Sequence, residues 1–164
     1  MKNFEFKSQV ATSVEQSKRL LELGLKKETA DIHMTNMSGK GINYTDDWQI
    51  GSISYCDAVS FWDSTGLKLE KTAWSIIPAW SLHRLLCMLP KYVHIETYKY
   101  GRKYMVTLDL TIDSYQNVRY LEGVDESYYD KSFYANDAYE SICKAIEWLI
   151  KEGYFNKDYL EEKK

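Results

Sequence analysis

The sequence predicts an α+β fold in which an antiparallel sheet of three to five strands packs against three main helices. Three observations predict it. Apolar residues recur with a period of about 3.6 in three stretches, residues 12–24, 81–89 and 136–153. They alternate with a period of two along YMVTLDLTID, residues 104–113. The chain of 164 residues has no internal repeat and no Pro/Gly/Ser-rich linker, so one domain over 1–164 is expected, with a tail from about residue 156 free to fray. A chain of this length buries roughly 68–70% of its unfolded surface and needs no disulfide or metal to hold a core.

The first helix begins in TSVEQSKRLLELG. Thr12 with Glu15, or Ser13 with Gln16, has the spacing of a capping box, and Gly24 is placed as a left-handed terminator. Val14, Leu21 and Leu25 share one face, which Leu20 and Leu23 widen. A short helical turn is expected to follow in KKETADI.

The second helix lies in IIPAWSLHRLLCMLP, between the chain's two prolines, Pro78 and Pro90. Ser81 can cap it, and Leu82, Leu85, Leu86 and Leu89 then fall at i, i+3, i+4 and i+7. Pro90 disfavours helical geometry at Leu89 and marks the end. Pro78 brings the chain in extended.

The third helix is ANDAYESICKAIEWLIKEG. Asn136 or Asp137 caps it and Gly153 stops it. Tyr139, Ile142, Cys143, Ile146, Leu149 and Ile150 form its apolar face. Glu140 with Lys144, and Glu147 with Lys151, stand four apart in the favourable order, worth roughly 0.2–0.5 kcal/mol each.

Between these helices lie the strands. Tyr104, Val106, Leu108, Leu110 and Ile112 alternate with Met105, Thr107, Asp109, Thr111 and Asp113, giving one buried and one wet face. YVHIETYKY precedes this strand through Gly101, Arg102 and Lys103, and NVRYLEG follows it, so the three suggest an antiparallel meander. Residues 34–75 read as loops with short strands: QIGSISY and AVSFW have strand-like composition, and LKLEKTAW alternates.

Composition excludes several classes of function. Hydrophobic residues make up 45% and charged residues 27%, with a net charge of −3 and no block of five or six like charges. Neither a nucleic-acid footprint nor a charged tail is implied. No run approaches the roughly eighteen apolar residues of a membrane span, and the start of the chain lacks the apolar core of a signal peptide. Cys56, Cys87 and Cys143 are odd in number and widely spaced, as expected of reduced thiols in a cytoplasmic protein.

Chemical motifs are sparse. His83 and Cys87 stand four apart on the second helix, a spacing that can share a metal. A structural zinc needs four ligands, and no CxxC or HxxxH supplies the rest, so a helix flank is the better reading. Neither metal nor cofactor is expected. Asp109 and Asp113 share the polar parity of a strand, where carboxylates can hold Mg²⁺, but alternation alone demands polar residues there. No GxSxG-type signature accompanies the cysteines or histidines, and no catalytic set is assigned.

Aromatic placement stands above background. Fourteen tyrosines are present, and ten of them lie between Tyr92 and Tyr139. The segment EGVDESYYDKSFYAND is acidic, aromatic and loop-like. Its Tyr128, Tyr129, Phe133 and Tyr134, together with Trp148 on the charged side of the third helix, are the candidate protein-binding residues. Stacking on bases normally comes with a basic groove; this segment is acidic, which favours a protein partner. The competing reading is that the rings pin the loop to the sheet, and that the tail or the sheet folds over Trp148. A rival function is a small enzyme with a cleft between sheet and second helix, using His83, Asp109 and Asp113. A second rival is weak nucleic-acid binding through Lys99, Arg102 and Lys103.

Three segments, EQSKRLLELGLKKETADIH, IPAWSLHRLLCMLP and AYESICKAIEWLIKEGY, resemble a group of small uncharacterised proteins from phages and integrated mobile elements of gut anaerobic bacteria. The resemblance covers most of the chain except 41–70. It implies the same order of elements and a mobile-element context, and it carries no catalytic residues. The expectation is a non-enzymatic cytoplasmic accessory protein that binds another protein, a host or phage factor.

Overall fold

The computed structural model describes residues 9–37, 48–65, 74–99, 101–122 and 130–162. Among them the chain is α+β. Its helices are α1 (Val14–Glu22), α2 (Tyr55–Ser64), α3 (Leu82–Met88) and α4 (Ala138–Lys151). Its strands are β1 (Ile32–Met37), β2 (Gln49–Gly51), β3 (Trp74–Ala79), β4 (Tyr92–Lys99), β5 (Arg102–Ile112), β6 (Val118–Glu122) and β7 (Asp130–Phe133). They form two antiparallel sheets, ordered β2–β1–β3 and β4–β5–β6–β7. The backbone falls into two compact units, Met1–Leu21 with Lys26–Arg84, and Glu22–Leu25 with Leu85–Lys164.

In the first unit α1 starts with the Ser13–Gln16 capping box: Ser13 N–H donates to Gln16 Oε1 at 2.9 Å and Gln16 N–H to Ser13 Oγ at 3.2 Å. Such a cap is worth about 1 kcal/mol. At the far end of α1, Gly24 takes φ +91°, the left-handed stop. The expected turn in KKETADI is a 3-10 turn at Lys27–Thr29. β1 is the central strand, pairing His33 with Gly51 of β2 and with Pro78 of β3. Pro78 is tolerated because β3 is an edge strand, where a missing N–H costs no ladder bond. Ala11, Met34 and Ala79 are buried together, with Val14, Ile32, Trp48 and Ile77 packed around them.

AVSFW is not a strand. It lies in α2, which Ser54 caps by accepting from Asp57 N–H at 3.1 Å, while Ser54 Oγ donates to Asp57 Oδ2 at 2.7 Å. That reciprocal Ser-x-x-Asp cap outweighs the strand propensity of Val59, Phe61 and Trp62. QIGSISY contains β2, and LKLEKTAW lies outside the described residues apart from Trp74, where β3 begins.

The second unit is the expected meander with α4 lying against β6 and β7. Asp137 caps α4 by accepting from Glu140 N–H at 2.8 Å, and Gly153 stops it at φ +78°. Tyr139, Ile142, Cys143, Ile146 and Leu149 are buried, and Glu147 pairs with Lys151 at 2.6 Å. Val93, Val106, Leu108, Val118 and Tyr120 of the strands are buried as well. The tail makes a 3-10 turn at Lys157–Tyr159, Leu160 pairs with Leu25, and Glu161 N–H donates to Gly24 O at 2.8 Å. Part of the acidic segment read as a loop is strand β7, whose register with β6 sets Val118 opposite Phe133 and Arg119 opposite Ser132.

Candidate interaction surface

Alternation along the meander sorts its side chains onto two faces. Val93, Val106, Leu108, Val118, Tyr120 and Phe133 turn inward and are buried. On the other face the cross-strand register lines up Tyr92 with Asp109, His94 with Thr107, Glu96 with Met105 and Tyr98 with Lys103. It then continues Asp109 with Leu121, Thr111 with Arg119, and Arg119 with Ser132. This face is open. Tyr92 is 57% exposed, Tyr98 72% and Met105 64%, and Tyr115 at the β5–β6 turn is 83% exposed.

The polar residues on this face hold one another. His94 Nδ1 and Thr107 Oγ1 lie 3.0 Å apart, and the Tyr92 and His94 rings pack with centroids at 5.4 Å. Lys103 Nζ pairs with Glu96 Oε1 at 2.6 Å. Arg119 donates through Nε to Ser132 Oγ at 2.9 Å and pairs with Asp130 at 2.7 Å. Desolvation pushes the Asp130 carboxyl up, but the Ser132 hydroxyl and the Arg119 guanidinium outweigh it and hold the group below its ordinary value. Ion pairs this exposed contribute about 0–1 kcal/mol each; their effect is to order the face.

The structure separates the candidate protein-binding residues. Tyr128 and Tyr129 lie outside the described residues. Tyr134 is 61% exposed, and its carbonyl accepts from Lys144 Nζ at 2.9 Å. Phe133 is buried. Trp148 is half-buried, with ring centroids 5.9 Å from Tyr120, 5.6 Å from Phe133 and 5.6 Å from Tyr154, and Lys131 Nζ sits 5.7 Å above it. Sheet and tail thus both reach Trp148. The Tyr120 hydroxyl donates to Pro90 O at 2.8 Å, and burial pushes its pKa up.

Of the groups of the enzyme rival, Asp113 has a structural use. Asp113 lies past the end of β5 and closes the turn to β6. Its Oδ1 accepts from Tyr115 N–H and Asn117 N–H, both at 2.9 Å, and its two oxygens also receive the Asn117 side-chain amide. Asp109 is exposed on the open face between Tyr92 and Leu121, and His83 is exposed on α3. Of the basic hairpin residues, Lys103 is paired with Glu96 and Arg102 is exposed. Among the described residues no group of three His, Cys, Asp or Glu is placed to hold a metal, and no helix is long and apolar enough to cross a membrane.

The open-face residues Tyr92, Tyr98 and Met105 were absent from the sequence-based candidates, although a signal was present. Large apolar side chains at the polar parity of an alternating strand are the places where the pattern departs from a merely solvated face. Comparison with family models, with curated proteins and with solved structures finds no significant match for this chain.

Proposed function

We propose that the chain is a non-enzymatic accessory protein of a cytoplasmic, mobile-element setting, and that it works by binding another protein through the open face of the meander and the adjoining segment of residues 128–134. One observation carries this reading: Tyr92, Tyr98, Met105, Tyr115 and Tyr134 expose more than half of their surface, while Val93, Leu108, Val118 and Tyr120 of the same unit are buried. Tyrosine and methionine are enriched where partners dock, because each offers large apolar area with an adaptable or polar tip. The ion pairs around them resemble the polar rim that surrounds such anchors. The mobile-element setting is supported by the three segments that resemble phage and integrated-element proteins, and the compartment by three thiols at wide spacing.

The test is capture of partners from a lysate of the organism that carries the chain, using wild type, Tyr98→Ala/Met105→Ala and Tyr128→Ala/Tyr129→Ala in parallel, with melting curves for each. A partner held by wild type and released by a variant that melts like wild type supports the reading. A partner held equally by all three proteins places binding elsewhere and defeats the proposed surface.

A further inference from the structure

Among the described residues, strand β4 stands at the end of its sheet, bonded to β5. The phase of that ladder fixes which backbone groups remain at the edge. Leu110 N–H donates to Lys91 O at 2.7 Å, and the register runs on from Tyr92 opposite Asp109 to Lys99 opposite Arg102. In an antiparallel ladder hydrogen-bonded pairs recur at every second residue. Val93, Ile95 and Thr97 therefore turn N–H and C=O toward β5, while Tyr92, His94, Glu96 and Tyr98 turn theirs outward. The edge is unbroken over eight residues and contains neither proline nor a bulge, two of the devices that blunt such a strand.

We infer that this edge pairs with β4 of a second copy of the chain, antiparallel across a two-fold axis, joining the two four-stranded sheets into one. The sequence of the edge is complementary to itself. With the axis at Ile95, Tyr92 faces Tyr98 of the partner subunit and His94 faces Glu96 of the partner subunit, each contact occurring twice, as a two-fold requires. All four outward residues then find backbone partners. A slip of two residues either way sets His94 against its own copy, or Glu96 against its own copy, and leaves one outward residue of each chain unmatched. An aromatic pair and an imidazole set against a carboxylate favour the first register, and the like-residue pairs disfavour the slips. Lys103, bonded to Glu96 at 2.6 Å, holds that carboxylate over the open face. The inference goes beyond the protein-binding reading and stands without it.

Sedimentation equilibrium of the full chain over a concentration series tests association: the expected limit is twice the 19.3 kDa of one chain. Amide hydrogen exchange by NMR tests the edge itself. The amides of Tyr92, His94, Glu96 and Tyr98 should gain protection as concentration rises, whereas those of Val93, Ile95 and Thr97 are protected by β5 at every concentration. His94→Glu should weaken the dimer roughly tenfold, from two like-charge cross-strand pairs per interface. His94→Glu/Glu96→Lys should restore it. A chain that stays monomeric, a dimer whose outward amides exchange as fast as in the monomer, or an affinity unmoved by His94→Glu would each overturn the inference.

Discussion

Thr12 and Trp80 hold each other by two hydrogen bonds that run in opposite directions: Thr12 N–H donates to Trp80 O at 2.9 Å, and Trp80 N–H donates to Thr12 Oγ1 at 3.0 Å. Both residues are fully buried. The indole Nε1 of Trp80 donates in turn to Thr29 Oγ1 at 2.9 Å, and Arg84 Nε donates to Thr29 O at 2.8 Å. Asp31 accepts from Ser81 N–H at 2.9 Å. The Pro-Ala-Trp-Ser-Leu stretch is thus a set of backbone anchors for the entry to α1 and for the 3-10 turn.

Thr12→Val tests that anchor. Valine keeps the branched shape and removes the acceptor, leaving the Trp80 N–H buried and unpaired. The loss should be about 1–3 kcal/mol in urea denaturation, while Thr12→Ser, which keeps a hydroxyl, should stay closer to wild type. Equal midpoints for the two variants would show that the hydroxyl is dispensable.

Ser141 has a similar place in the second unit. Its hydroxyl donates to Phe133 O and accepts from Val118 N–H, both at 2.7 Å, so α4 closes the pair that ends the β6–β7 ladder. Ser141→Ala leaves two buried backbone groups without this partner. Helix propensity favours alanine by about 0.5 kcal/mol, which offsets only part of the penalty. The expected outcome is a net loss of about 1–3 kcal/mol, read from the urea midpoint with an unchanged m-value.

How much of this was legible follows from the physics of each element. α4 and the meander were readable because long periodic runs with strong caps state their own geometry: Asp137, Gly153 and the alternation from Val106 to Leu110 are all local signals. α2 was not, since Val59, Phe61 and Trp62 favour strands by composition and its decisive feature is the two-residue exchange between Ser54 and Asp57. β7 was hidden because Asp130 and Ser132 look like loop residues until Arg119 on the neighbouring strand pairs with them. The candidate surface was legible only as a tendency, an excess of tyrosine. Which rings are buried, as Phe133 and Tyr120 are, and which stay exposed, as Tyr98 and Tyr134 do, depends on the position of α4 over one face of the sheet.

Gly51 is fixed by a neighbour. A Cβ built there would lie 2.0 Å from the His33 ring, which is buried and held by a 2.8 Å contact between Nδ1 and Ile53 O. Gly51→Ala must displace the imidazole and should cost about 1–3 kcal/mol. His33→Ala/Gly51→Ala removes the obstruction, so the double-variant loss should fall short of the sum of the single losses. Additive losses would show that the ring and the glycine do not constrain each other.

The last expectation concerns acid. The folded state holds the Asp113 carboxyl below its ordinary value, chiefly through the Asn117 backbone N–H, with the Asn117 side-chain amide, the Tyr115 N–H and the Arg119 charge adding to this against desolvation. A carboxyl depressed in the folded state contributes stability that is complete above its unfolded pKa and is lost as pH falls through the folded one. Melting temperature should therefore hold near neutral pH and fall once the solution is acidic enough to protonate ordinary carboxylates. Asp113→Asn keeps one acceptor but cannot titrate. Its deficit relative to wild type should be full at neutral pH and shrink as the pH drops, because protonation takes from wild type what the substitution has already removed. Melting curves of both proteins across that acid range decide the matter: a deficit that stays constant with pH would mean that turn geometry, and not the charge of Asp113, accounts for its contribution.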